Sequence, residues 1–351
     1  MKIIYSGLQF NNYKNSEGLS FEHNSFYLGL KSYPNAEVIY FPFDRILEIG
    51  KERFNQEILE AVKREKPDIF FAFMLSDEFE PDILKEIKKY TVSLAWFADD
   101  SWRFYNYSRF WAPYFTWAVP TYSWMPELYK KIGQPNIIRS QWAANTDIYR
   151  PISNFQYPIS NTEQPNVVFI GLWKKPRERI ISAIKRAGIN IQAFGAGWPN
   201  GRISREEMIK LFSISKINLG LNPAPGYFNK NSLGRLLFKR SINKIIPDFH
   251  IWSNFQTWLH RGIPQINARH FEIPACKGFM LTSFADDLDK YYEPGKEIIV
   301  YDGVSDLIDK VRYYLSREDE RLEIAAAGYE RTIQNHTYEA RFKELFDKIG
   351  L

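Results

Sequence analysis

Apolar residues occupy the first half of the chain in two patterns, short unbroken blocks and stretches in which they recur every three or four positions. KIIYSG (2–7), AEVIYFPF (36–43), DIFFAFML (68–75), TVSLAWFADD (91–100) and WAVPTY (117–122) follow the first pattern and predict strands buried on both faces. ERFNQEILEAVKREK (52–66), PDILKEIKKY (81–90) and SWMPELYKKIG (123–133) follow the second and predict amphipathic helices, the last stopped by Gly133. A polar loop, NNYKNSEGLSFEHN, separates the first strand from a helix running through His23 to Leu30. Strands alternating with helices predict a parallel sheet covered on both sides.

PISNFQYPISNTEQP (151–165) interrupts the rhythm with Pro, Ser and Asn and reads as a linker. The alternation then restarts. NVVFIG (166–171), INIQAFG (189–195) and KINLGLN (216–222) predict strands, and PRERIISAIKRAG (176–188) and SREEMIKLFSIS (204–215) predict helices, the second opened by a serine cap. DLIDKVRYYL, EDERLEIAAAGYERTIQ and TYEARFKELFDKIG close the chain with three helical patterns. The fold class is therefore α/β: two Rossmann-like halves, 1–150 and 166–335, with parallel sheets expected to face each other across a cleft. A final helix follows at 336–351.

The segment 223–264 breaks the second half's rhythm and reads as a basic, aromatic insertion. Lys230, Arg235, Lys239, Arg240, Lys244 and Arg261 stand there against Asp248 alone. It is either a solvated hairpin or a patch, centred on 230–244, for an anionic lipid surface or a phosphorylated acceptor.

Composition narrows the class. A chain of 351 residues fits two domains of roughly 150 to 200 residues. Its net charge of +5 is too mild and too local for nucleic acid but suits a handler of phosphates. The single cysteine, Cys276, excludes an internal disulfide or a Cys-based zinc site and points to the reducing cytoplasm. The start lacks the pattern of a signal peptide, and no run of about 18 apolar residues occurs to span a membrane. P-loop, HExxH, CxxC and GxSxG motifs are absent, GLWKKPRER lacks the glycines of a dinucleotide fingerprint, and FGAGWPNG reads as a turn.

One acid is out of place. In NARHFEIPACKGFMLTSF (267–284) Glu272 sits in an otherwise core-like run, three residues after Arg269. A buried carboxylate needs a partner, so it is either half of a Glu–Arg pair or a ligand contact.

That stretch and its continuation to YEARFKELF, with VVFIGLWKKPRERIISAIKRAGINIQAFGAGWPNG upstream, resemble the C-terminal domain of the CgeB-like spore-maturation glycosyltransferases. WFADDSWRF and NTDIYRP resemble the family's N-terminal half. The resemblance implies a GT-B fold, with a nucleotide-sugar donor on the second domain, an acceptor facing the first, and a last helix that can cross back to the first. It implies no cofactor and no metal. It implies an acceptor hydroxyl on a glycan, a lipid-linked glycan or a protein; the basic patch, if it meets lipid, would place the chain peripherally on the inner face of the membrane. Glu272 matches the second acid of the E-x7-E pattern of related retaining enzymes, which binds the ribose hydroxyls, whereas Pro264 stands where the first would be. That departure keeps two alternatives open, a non-catalytic sugar-nucleotide binder and an epimerase-like enzyme.

On this resemblance the donor diphosphate needs cations near a helix start, and Arg177, just after the Gly171 turn, is the first candidate, followed by Lys174, Lys175 and Arg269. Each could equally be a solvated charge. Gly7 would let the first turn approach the donor. For the acceptor base the candidates are Asp99 and Asp100, which end a strand and could instead cap the next helix, and His23, which could be a bystander.

Overall fold

The computed structural model describes residues 1–152, 165–222 and 230–351, with only the backbone of 230 and 231. Most of the 151–165 linker, and 223–229 of the basic segment, lie outside the described residues. The chain divides into two compact units, one of Met1–Gln141, Gly226–Gly262 and Tyr338–Leu351, the other of Trp142–Pro225 and Ile263–Thr337.

The first unit holds a five-stranded sheet of β1 (Lys2–Gly7), β2 (Glu37–Pro42), β3 (Ile69–Phe73), β4 (Val92–Phe97) and β5 (Trp117–Pro120), in the order β2-β1-β3-β4-β5. Every pairing is parallel, with Ile3 opposite Ile69, Ile69 opposite Val92 and Leu94 opposite Trp117. All five residues of β3 are buried, which is why the apolar blocks are unbroken: helices cover both sheet faces. Phe26 is the hub of one face, with ring centroids 4.8 Å from Phe73, 4.9 Å from Trp96 and 5.1 Å from Tyr338. Tyr338 opens the last helix, Tyr338–Ile349, which thus belongs to this unit's core.

The second unit repeats the topology with β6 (Val167–Ile170), β7 (Ile191–Phe194), β8 (Ile217–Gly220), β11 (Met280–Ser283) and β12 (Ile299–Tyr301), while β9 (Phe238–Ser241) and β10 (Lys244–Pro247) form a separate antiparallel hairpin. Its order, β12-β11-β8-β6-β7, again sets the first strand between the second and third, all parallel. In such sheets the chain leaves neighbouring central strands in opposite directions, opening a crevice at their carboxyl ends. Those ends lie at β1 and β3 in one unit and at β6 and β8 in the other.

Two boundaries differ from the sequence reading. The second unit begins at Trp142 rather than after the linker, because Trp142 Nε1 donates to the Ile266 carbonyl (3.1 Å) and Ala144 N to the His336 carbonyl (2.9 Å). The basic segment, which interrupts the second half in sequence, packs with the first. Ser241 Oγ donates to Asp77 Oδ2 (2.8 Å), Ile242 N to Ser76 Oγ (2.9 Å) and Asn106 Nδ2 to Asn254 Oδ1 (2.8 Å). Among the described residues no helix is long and apolar enough to cross a membrane.

Candidate functional site

β6 runs into Gly171, and a Cβ there would lie 2.8 Å from the ring of Phe169, two residues back. The missing side chain thus lets Phe169 fold over the strand end, where it meets Arg177 at 5.4 Å from ring centroid to guanidinium carbon. Arg177, in the first turn of the helix Lys175–Arg186, donates from Nε to the Leu221 carbonyl (3.0 Å) and from Nη1 to the Leu172 carbonyl (2.8 Å). One guanidinium therefore links the carboxyl end of β8 to the turn after β6, across the crevice. Burial lowers its pKa, Tyr301 opposes that, and the nearby charge of Arg269 lowers it further. Among the described residues no carboxylate pairs with Arg177.

Lys174 and Lys175 are exposed, and Lys175 is paired with Glu178 at 2.6 Å. The FGAGWPNG loop buttresses the same turn: Trp198 Nε1 donates to the Gly171 carbonyl (2.8 Å), and Trp173 N to the Ala196 carbonyl (2.9 Å). Gly195, at φ +128°, is required there, since a Cβ would sit 2.3 Å from the Gly171 oxygen.

Glu272 lies in the first turn of the short helix Arg269–Ala275 and is 1% exposed. Its carboxylate is ion-paired with Arg269, whose side chain remains partly open to solvent. Tyr149 is hydrogen-bonded to both. Burial and then the Glu272 charge raise the Tyr149 pKa. Burial works against the Arg269 charge, but Glu272 and Tyr149 outweigh it and the Arg269 pKa rises. Glu272 thus already has the arginine partner that its burial demands.

Beside this pair, His270 bridges the ends of β8 and β11. Its Nε2 is 3.1 Å from Thr282 Oγ1 and its Nδ1 3.1 Å from Asn267 N, while Asn267 Nδ2 donates to Asn222 Oδ1 (2.7 Å). Burial lowers the His270 pKa to about 4, so the ring is neutral at physiological pH. An acid does stand beside Pro264, although not at the expected spacing: Asp286, in the loop after β11, donates its backbone N–H to the Pro264 carbonyl (3.3 Å). Burial, and then Asp287, raise its pKa.

In the first unit the adjacent aspartates part company. Asp100 is fully buried, accepting from Thr121 Oγ1 and Tyr129 OH at 3.3 Å each, and burial holds its pKa well above the usual range. An acid enclosed in this way is a core group rather than a base open to substrate. Asp99, partly exposed, precedes the helix Asp100–Arg103 without a side-chain cap bond. His23 is nearly buried, its ring 4.9 Å from that of Tyr27 and 5.6 Å from that of Tyr40. The space beside Gly7 is filled from within: a Cβ there would lie 2.4 Å from the hydroxyl of Tyr5, which donates to the Glu22 carbonyl (3.1 Å).

Glu22 is the group that sequence reasoning missed. It opens a π-helical turn, Glu22–Tyr27, and burial raises its carboxyl to about 7 against the hydrogen bonds of its own N–H and Ser20, with Asp99 adding to the rise. The available signal is the polar loop ending in EHN, in which the acid directly precedes the histidine. π-turns are rare and concentrate at functional sites. Among the described residues no group of three or more His, Cys, Asp or Glu could hold a metal ion.

Residues 175–347 match the family described as glycosyl transferase-like. Spore protein CgeB of Bacillus subtilis (strain 168) is 24% identical over 213 residues, a match spanning 60% of this chain and 61% of CgeB. Anabaena HepE, solved in complex with UDP-glucose, superposes with a TM-score of 0.61 at 10% identity over 100% of both chains. Sucrose-phosphate synthase from Thermosynechococcus elongatus does so with a TM-score of 0.59 at 11% identity, over 99% of this chain and 98% of its own. At such identities the likeness is one of fold, the two-sheet GT-B architecture.

Proposed function

We propose that the chain, whose residues 175–347 match the glycosyl transferase-like family and whose two sheets have the GT-B fold, is a CgeB-like glycosyltransferase that moves a sugar from a nucleotide-diphosphate-sugar donor to an acceptor hydroxyl. The observation that carries this reading is Arg177: a half-buried guanidinium without a carboxylate partner among the described residues, beside a second arginine, at the crevice of a parallel sheet. Arg269 is already paired with Glu272, so the uncompensated charge is that of Arg177, and a diphosphate can neutralise it with bidentate geometry. The solved complex of HepE with UDP-glucose supports a nucleotide-sugar donor.

In the reaction the acceptor oxygen bonds to the anomeric carbon as that carbon's bond to the diphosphate breaks. The acceptor proton passes to a carboxylate at the strand ends of the first unit, Glu22 before Asp99. Arg177 and Arg269 stabilise the charge that gathers on the departing nucleotide diphosphate, so the reading requires no metal and no cofactor. Glu272 acts on the donor by holding Arg269. A direct contact with the ribose is the second reading, favoured by the family resemblance, and requires the diphosphate to draw Arg269 off the carboxylate. Pro264 would favour a binder without turnover, but Asp286 beside it supplies an acid for the sugar. The acceptor is a glycan, a lipid-linked glycan or a protein, and the reaction is assigned to the cytoplasm.

A panel of uridine, guanosine, cytidine and thymidine diphosphates and their sugars, read by thermal shift, tests the donor site. A ligand at a hundred times its Kd adds about 2.7 kcal/mol of stability, a readable shift. Silence across the panel would overturn the reading.

A further inference from the structure

The helix Ile251–His260 is built inside out. Its two covered positions are polar, Asn254 at 1% and Thr257 at 3% exposure. Asn254 is locked in place by Asn106 and by its own bond to the Leu236 carbonyl (3.2 Å). At 100° per residue, Ile251, Trp252, Phe255 and Leu259 fall on one stripe away from that side, and all four are exposed, Trp252 at 70%. Rings continue along the helix, Trp252 to Phe255 at 5.8 Å and Phe255 to Trp258 at 5.9 Å. Phe249, just before the helix, is 88% exposed, and Ile245 on the adjoining hairpin 77%. The helix sequence IWSNFQTWLH carries no Lys, Arg, Asp or Glu. An apolar stripe of this kind marks an interaction surface rather than ordinary scatter.

Charge selects the occupant. Lys239, Arg240 and Lys244 are exposed on the hairpin, whereas the segment's one acid, Asp248, is buried under the His250 ring at 2.7 Å. We propose that this surface docks the protein on an anionic lipid bilayer, with Phe249, Trp252 and Ile245 entering the headgroup boundary and the hairpin bases meeting lipid phosphates. A second copy of the chain is the poorer occupant, because it would set the same basic residues against these. The sequence leaves the charges of 230–244 open between a solvated hairpin and a patch for lipid or a phosphorylated acceptor; the lipid docking rests chiefly on the uncharged helix that follows. The inference does not rest on the sugar-transfer reading, although together the two make lipid-linked acceptors the substrate class.

The test is co-sedimentation with vesicles of phosphatidylcholine alone and of phosphatidylcholine with 30% phosphatidylglycerol, at low and high salt. Wild-type protein is expected to bind the anionic vesicles at least tenfold more tightly than the neutral ones. Phe249→Ser with Trp252→Ser should abolish binding to both, and Lys239→Glu with Lys244→Glu should erase the preference. Circular dichroism and nucleotide-diphosphate binding, read on the same variants, should match wild type and so separate this result from that of the donor site. No vesicle binding by wild type, or undiminished binding by the serine variant, overturns the proposal. So does a wild-type dimer in analytical ultracentrifugation that the serine variant dissolves, which would assign the surface to self-association.

Discussion

Arg177 Nε lies 3.0 Å from the Leu221 carbonyl, so one side chain joins the two strand ends between which a parallel sheet receives its ligand. That position gives Arg177 a structural duty and, among the described residues, leaves its charge without a carboxylate. Arg177→Ala should therefore do two things. It should weaken nucleotide-diphosphate binding by about 10- to 100-fold, the loss expected for one charged hydrogen-bonded contact of about 1.5–3 kcal/mol. It should also lower the ligand-free melting temperature. Arg177→Lys should restore part of the affinity and little of the melting temperature, since an ammonium cannot reach both carbonyls. Titration calorimetry with UDP and a melting curve without it separate the two, and unaltered UDP affinity in the alanine variant would remove Arg177 from the donor site.

Glu272→Gln and Arg269→Ala each break a pair whose carboxylate is buried, and each should cost about 3 kcal/mol in urea unfolding. The double variant should cost less than the sum, because neither charge is then left alone. Nucleotide binding distinguishes the two readings of Glu272. If it only positions Arg269, Glu272→Gln weakens UDP and leaves uridine untouched. If it grips the ribose, both weaken together.

His270 makes stability depend on pH. Its folded pKa of about 4 lies below the ordinary histidine value of 6.5, so the unfolded chain binds the extra proton between those limits. Stability from this site is complete above pH 6.5 and is lost as pH falls towards 4, by roughly 3 kcal/mol. Glu22 acts in the opposite sense: its raised pKa makes the folded state hold a proton up to about pH 7, so stability falls as pH rises from the usual carboxylate range through that value. The His270 contribution is thus the difference between wild type and His270→Gln in urea unfolding at pH 7 and pH 4.5. Parallel curves for the two proteins would show that the ring is not held neutral.

What could be read in the sequence followed the range of the interactions. The strands were legible because burial on both faces leaves unbroken apolar blocks, and Arg177 because it lies six residues from the glycine it serves. Glu272 and Arg269 stand one helical turn apart, so their pairing was a local matter. Tyr149, which completes that cluster, comes from a distant part of the chain. The basic segment reads with the second half because contiguity is the only guide in sequence, whereas its docking bonds, Ser241 to Asp77 and Asn106 to Asn254, span 164 and 148 residues. Asp99 and Asp100 looked equivalent as a dipeptide, yet at the turn from strand to helix one side chain enters the core and its neighbour does not.

The backbone N–H of Asp286 donates to the carbonyl of Pro264, the position at which the family resemblance leads one to expect a sugar-reading acid. If it fills that role, Asp286→Asn should lower kcat/KM for the preferred nucleotide sugar by one to two orders of magnitude, that is about 1.4–2.7 kcal/mol, and leave the Kd of the bare nucleotide unchanged. Discrimination between epimeric sugars should narrow as well. A matching loss for nucleotide and nucleotide sugar would mean that the substitution merely disturbs the loop.

Glu22 offers the sharpest test of the chemistry. A general base works best with a pKa near the operating pH, and a carboxyl held at about 7 by burial is suited to accept a hydroxyl proton, whereas Asp100 is enclosed by Thr121 and Tyr129. Activity should therefore rise through pH 7 as Glu22 ionises. Glu22→Gln should reduce kcat by about 10²-fold or more, keep the nucleotide affinity, and abolish that rising limb. His23 stands one residue further along the same turn and is the other candidate base, so His23→Gln is the necessary comparison. Retention of the limb in the His23 variant and its loss in the Glu22 variant assign the proton to the carboxylate; the reverse pattern would move it to the imidazole, and a limb kept by both would place the base on neither.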